Sequence, residues 1–302
     1  MLATSVRAVA LLLVVLASVA AHGQELEPRS YSPAPVGATF AVASFGRSSG
    51  DIRLDPALDV RDVEQRLWIA TLGFGHVFEL AGRQARILAL VPSAWGDVSG
   101  EIGGTKQRQA LAGPADPRFK LSIGLLGAPA LSATELASSP RSAVVGASIT
   151  VVPPLGDYLA SRLVNIGANR WALKPELGIS SPRGPWTFEA YAGVWLFTAN
   201  PAYYPGDVTK RQDPILSLQG HVSYTLPNQV WLALDGTWFS GGTTSIEGIA
   251  SADLQRNGRV GATVSIPLTA AHSLKVAYTA GATTRRGVDI DAFTVTWQRL
   301  WP

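Results

Sequence analysis

The chain has 302 residues, with 25 Lys and Arg against 22 Asp and Glu, four His and no Cys. Without cysteine there is no disulfide framework, thiolate metal site or cysteine nucleophile, and the dispersed basic residues form no nucleic-acid footprint. Charged residues make up 16% and glycine numbers 30, against roughly 25% and roughly 7% in soluble domains; this is too apolar for an ordinary secreted enzyme.

Residues 1–23 combine Arg7, an apolar run from Ala8 to Ala21, and small residues Ala21 and Gly23. This is the pattern of a secretory signal peptide, with cleavage expected after Gly23. The run of about 14 residues is shorter than the roughly 20 of a spanning helix, and no later stretch does better. The expected organisation is a leader at 1–23, a periplasmic or lumenal segment at 24–37 and one β domain at 38–302.

From Ala38 onward, alternation of period two recurs over 9 to 15 residues and is broken each time by Gly/Pro/Asp-rich punctuation. Twelve such segments are expected, near 38–46, 66–79, 83–95, 116–127, 141–153, 170–181, 185–198, 212–226, 229–240, 254–267, 271–284 and 289–301. Their lengths suit tilted strands that cross a bilayer in roughly 9 to 11 residues. In "PWTFEAYAGVWLFT", Trp186, Phe188, Ala190, Ala192, Val194 and Leu196 share one face, against Thr187, Glu189, Tyr191 and Gly193. His76 and Arg86 interrupt the alternation of the second and third segments.

Breaks such as "LAGR", "PRGP", "LPNQ" and "PLTAAH" are short, whereas "RSSGDIRLDPALDVRDVEQ", "GDVSGEIGGTKQRQALAGPA" and "NPAYYPGDVTKR" read as long loops. "PALSATELASSP" reads as a short helical turn on the short-turn side. Short turns on one rim and long loops on the other describe an all-β, transmembrane antiparallel β-barrel of the outer-membrane type, with about twelve strands and both termini periplasmic. Eight of the nine Trp lie near segment ends, where aromatic girdles form at the two interfaces. A soluble sandwich also alternates, but the strand lengths, the Trp placement and the low charge oppose it. The aromatic end, "FTVTWQRLWP", is similar to the assembly signal of outer-membrane proteins, so barrel-assembly machinery is an expected partner beside outer-membrane lipid.

No catalytic residue, metal ligand set or cofactor motif emerges. "GRSSG", Gly46–Gly50, matches G-x-S-x-G, but no helical start follows Ser48 as a nucleophile elbow requires. "GEIGGTK" misses the phosphate-loop spacing and reads as a flexible loop. His76, His221 and His272 lie on separate segments and share no metal-ligand spacing. A lipolytic enzyme would need a His, a Ser and an Asn-like group at one rim, which the sequence does not assemble.

The ionisable residues inside strands are more informative. A basic group facing lipid costs about 2 to 4 kcal/mol at the midplane. Alternation therefore places Arg118, Lys120, Lys174, Glu176, Glu189, Gln219, His221, Asp235, Arg259 and Lys275 in the lumen, either paired with one another or lining a solute path. Lys174 and Glu176 share a face, with Glu189 expected near them across the "PRGP" turn. Twelve strands about 4.8 Å apart and tilted about 40° close at a backbone radius near 12 Å, of which side chains take roughly 5 Å.

The stretches "EPRSYSPAPVG", "SSGDIRLDP", "VPSAWGDVSG", "DPRFKLSIGLLGAPAL", "GASITVVPPLGDY", "RLVNIGANRWALKPELGIS", "GPWTFEAYAGVWLFT", "QDPILSLQGHVSYT" and "LQRNGRVGATVSIPL" run the length of the chain. Together they make it similar to the outer-membrane transporter family named for the MetA pathway of phenol degradation, "NIGANRWALKPELG" being the most specific. That resemblance implies a β-barrel and passage of small hydrophobic or aromatic solutes, and it supplies no catalytic residues. The expectation is a passive outer-membrane channel. A non-conducting structural or adhesive barrel is the alternative, and a lipolytic enzyme a more distant one.

Overall fold

The computed structural model describes residues 26–53 and 60–301. Its strands are β1 (Thr39–Arg53), β2 (Val60–Leu80), β3 (Arg83–Ile102), β4 (Thr105–Pro114), β5 (Arg118–Leu126), β6 (Val144–Val152), β7 (Ala172–Arg183) and β8 (Trp186–Phe197). They continue with β9 (Asn200–Tyr203), β10 (Val208–Gln212), β11 (Ile215–Thr225), β12 (Trp231–Gly241), β13 (Thr244–Ile246), β14 (Ile249–Ala250), β15 (Gln255–Pro267), β16 (His272–Thr284) and β17 (Gly287–Trp301). Among the described residues twelve antiparallel strands close a ring in the order β1, β2, β3, β5, β6, β7, β8, β11, β12, β15, β16, β17, and β17 pairs back onto β1. β4 is the upper half of the fourth wall strand: it pairs with Ser93–Ile102 of β3, while β5 pairs with Ala85–Leu90.

The burial pattern is that of a soluble protein turned inside out. On β7, Leu177 and Ile179 are exposed while Lys174, Glu176 and Ser180 are buried. On β8, Trp186 and Phe188 point out while Glu189 and Tyr191 point in. An apolar outer wall with a polar inner one is stable only when the outer wall meets lipid. Aromatic pairs mark both edges of that wall: Phe45 stacked on Trp68 at 5.2 Å near the long-loop rim, and Trp186 edge-to-face with Tyr224 at 4.8 Å near the short-turn rim. The last strand keeps Phe293, Trp297 and Trp301 outward, and its two edges are paired with β1 and β16. On the second and third strands Leu72, Phe74, Ile87 and Val91 face out. His76 bonds Thr39 near the short-turn rim, and Arg86 reaches the N-terminal segment.

Two expected loops are strand instead. "RSSGDIR" continues β1, and "GDVSGEIGGTKQRQALAGP" is the β3–β4 hairpin, turned on Gly103 and Gly104, both at positive φ. Two central residues with φ > 0 make the tight turn that suits twisted hairpin strands, and Gly-Gly meets the requirement at no steric cost. Here the wall rises past the apolar belt. Its outer residues turn polar, as at Glu64, Arg66 and Arg108, while Ile52, Val63, Val98 and Leu111 stay buried inside. A polar outer face thus marks water around the strand, not the end of the strand.

The connection between β5 and β6 carries α1 (Ala133–Ser138). It starts with a capping box in which Ser132 accepts from the Glu135 amide and Glu135 accepts from Ser132. β9, β10, β13 and β14 form a separate small sheet from the two loops that follow β8 and β12. The leader and the first two residues of the 24–37 segment lie outside the described residues.

Deleting residues 293–302 strips pairing from β1 and β16 and opens the ring, which leaves two edges unsatisfied in lipid. The truncated chain is expected to lose both heat-modifiable gel mobility and protease resistance; insertion with protease resistance intact would contradict closure through β17.

Candidate functional site

The lumen is organised around Glu176. Its Oε2 lies 2.6 Å from Lys174 Nζ and 3.3 Å from Gln219 Nε2, and its Oε1 lies 3.2 Å from the Tyr31 hydroxyl and 3.8 Å from Lys120 Nζ. Lys174 and Glu176 share a face because they are two apart on β7. Glu189 does not join this group. The tight β7–β8 turn sets it opposite Ser180, and it accepts the Arg29 backbone N–H at 2.7 Å.

That contact belongs to a segment inside the barrel. Residues 26–37 enter from the short-turn rim, where Val36 donates to the Leu131 carbonyl and Gly37 to that of Val77. Lys120 holds Glu27 at 2.8 Å, and Arg86 donates to the carbonyls of Ser30 and Ser32. The Arg29 guanidinium donates to Ser223 and Thr225 and lies 4.6 Å over the Trp231 ring. Tyr31 is buried edge-on to Tyr191 at 5.1 Å, its hydroxyl 3.0 Å from that of Ser148. A Cβ at Gly146 or Gly178 would collide with the Tyr31 ring, so these inward glycines form the slot that receives it. Only about 20 Å³ remains between Glu27, Lys120, Lys174 and Glu176, room for about one water.

Toward the long-loop rim the lumen turns apolar. The connection 153–171 folds inward and buries Val164 and Ile166 against Ile52, Leu67, Val98 and Leu111. Asp116, in the break between β4 and β5, accepts the amides of Gly156 and Ala168 at 2.7 Å each. Asn165 closes the loop on Leu159 and Arg162, Asn169 bonds Asn200, and Arg170 donates to Gln212 at 2.5 Å. The stretch "NIGANR" is therefore the sequence of this inward fold. On the opposite wall Trp195, the one Trp away from the girdles, is buried with Ile215, Phe239 and Val152. Between the N-terminal segment and the inner wall of β1–β3, β5 and β17 lies a cavity of about 270 Å³ lined by Glu27, Arg47, Arg118, Thr71, Thr294 and Thr296, among others.

The remaining inward positions form separate groups. His221 Nδ1 lies 2.7 Å from Asp235, which also accepts from Thr263. Neither inward serine of β11 bonds this histidine: Ser223 accepts from Arg29, and Ser217 Oγ has no hydrogen bond among the described residues. Arg259 reaches Thr279 and the Ile290 carbonyl, and Lys275 stands level with Ser265 and Thr296. Ser48 lies buried within β1 and accepts from Gln65, so "GRSSG" is strand. No group of three His, Asp or Glu among the described residues is placed to hold a metal.

The N-terminal segment carries the partners that counting along strands does not reveal. The available signal was the row of glycines at inward positions, Gly146, Gly178 and Gly193, which leave a trough that something must fill.

The family model described as "Putative MetA-pathway of phenol degradation" matches residues 47–297. The chain belongs to this family. Among solved structures, this family member is similar to the COG4313 outer membrane channel from Pseudomonas putida F1, with a TM-score of 0.75 and 19% identity over 92% of this chain and 100% of that one. It is also similar to the beta domain of the Bordetella autotransporter BrkA, with a TM-score of 0.50 and 12% identity over 88% of this chain and 100% of that one. At such identities the likeness is one of fold. Among curated proteins no match is found.

Replacing Lys174 by Gln leaves Glu176 buried with a weaker partner set, and breaking a buried pair costs about 3 kcal/mol or more. Unfolding in micelles followed by denaturant titration is expected to show this loss. Because the two side chains touch, Lys174→Gln with Glu176→Gln should cost less than the two single changes added together.

Proposed function

We propose that this protein is a channel of the bacterial outer membrane for passive entry of small, hydrophobic or aromatic solutes, closed at rest by its own N-terminal segment, with both termini in the periplasm. The observation that carries the reading is how the lumen is filled. Residues 26–34 add no strand to the ring and are held by side-chain contacts, with Tyr31 in a glycine slot. Such contacts can be undone without opening a β-ladder. The apolar packing toward the long-loop rim, Val164 and Ile166 in one cluster and Trp195 and Phe239 in another, supports apolar solutes over sugars or ions. Membership of a family named for phenol degradation, and likeness to a protein described as an outer membrane channel, point the same way.

In this reading Arg118, Lys120, Lys174, Glu176, Glu189, Gln219, His221, Asp235, Arg259 and Lys275 form the wall of the path and serve as partners of the plug. A second reading, a sealed structural barrel, draws on the near-solid packing around Glu176. Planar-bilayer recording separates the two. The whole protein should show low conductance, and deletion of residues 26–34 should raise it several-fold while the barrel stays heat-modifiable. A folded deletion variant that stays closed would establish the sealed barrel.

A further inference from the structure

We propose that the vestibule at the short-turn rim binds a small organic carboxylate with an apolar body. The inference deepens the channel reading and rests on it, naming the class of solute that meets the protein on this side. Beneath α1 lies a cavity of about 610 Å³, within the roughly 300 to 1,000 Å³ of small-molecule sites. Leu131, Leu136, Val144 and Pro182 give it apolar walls, and the charged residues lining it are Arg29 and Arg141. No carboxylate lines it.

Neither guanidinium group is held in a direct ion pair, although the Glu189 carboxylate lies near enough to Arg29 to act on its charge. Arg29 donates to the hydroxyls of Ser223 and Thr225, and neither it nor Arg141 makes an ion pair among the described residues. The two acids nearby, Glu189 and Glu135, hold other hydrogen bonds and do not line the cavity. Glu189 accepts the Arg29 backbone N–H deeper in the lumen. Glu135 is turned into its capping box, where bonds from the Ser132 side chain and amide hold its pKa below the usual carboxylate range.

Arg29 and Arg141 face the same concave wall with only Glu189 nearby to offset them, and this surplus of positive charge concentrates a positive field there. A carboxylate answers it with paired, charge-assisted hydrogen bonds. The aliphatic walls then add burial in proportion to the apolar area covered. A neutral aromatic gains only the second contribution and acetate mainly the first, so the site favours a ligand that has both.

Titration calorimetry of the full mature protein in a non-ionic detergent, with benzoate, benzyl alcohol and acetate as probes, tests this. Benzoate should bind saturably, one per chain. Benzyl alcohol and acetate should bind at least about tenfold more weakly, as the loss of a charge-assisted hydrogen bond or of the ring implies. Arg141→Gln should weaken benzoate by about tenfold as well. Arg183→Gln, which removes the same charge from the exposed β7–β8 turn outside the cavity, should leave it unchanged. Equal affinity for benzoate and benzyl alcohol, or equal losses from the two arginine substitutions, would overturn the site. Proteoliposomes that pass no solute while benzoate binding persists would instead overturn the channel reading alone.

Discussion

Lipid offers no hydrogen bonds, and this one constraint shapes the molecule. Each strand edge has to find a neighbour, so twelve strands continue until β17 meets β1. Closure then fixes the side chains. With a period of two, each strand gives lipid one set of residues and the interior the other, which is why Leu177 and Ile179 alternate with Glu176 and Ser180. The same rule explains why the wall keeps its strand geometry where its outer face turns polar, above the belt on β1 to β4.

A closed ring of this size has an inner wall that it cannot satisfy alone. Inward ionisable groups taken from water need partners; Lys174 with Glu176 and His221 with Asp235 find them within the ring, whereas Lys120 and Glu189 also draw on groups beyond it. The chain meets the need from outside the ring. Glu27, Arg29 and Tyr31 bring charge and hydrogen bonds to Lys120, Glu189 and Glu176, and Val164 and Ile166 bring apolar surface to the mouth. In the proposed reading, a lumen completed by such insertions is closed by side-chain contacts and opens when a short segment moves while the barrel remains whole.

Much of the wall was legible because its pattern is local. Alternation located all twelve strands, and short punctuation located the tight turns. The inward faces of β7, β8, β11, β12 and β15 follow from counting by two. The Gly-Gly turn at 103–104 was legible too, but polar flanks made it look like a loop. What counting could not reach is the plug and the inward loop. The Tyr31 slot joins residues more than a hundred positions apart in sequence, and Asp116 organises amides at 156 and 168. No periodicity encodes such pairings. Glycines at inward strand positions and the two asparagines and arginine of "NIGANR" are their local traces.

The central claim is that the N-terminal segment closes the lumen and can leave it. A Cβ at Gly146 would fall against the Tyr31 ring, close enough for paired cysteines to meet the spacing of a disulfide, and the natural chain has no cysteine to interfere. Single-channel recording of the variant carrying Tyr31→Cys and Gly146→Cys, before and after a reductant is added, is the most direct test. The account predicts a silent channel while the bond is formed and a conducting one once it is reduced. Conductance that is the same in both states would contradict it.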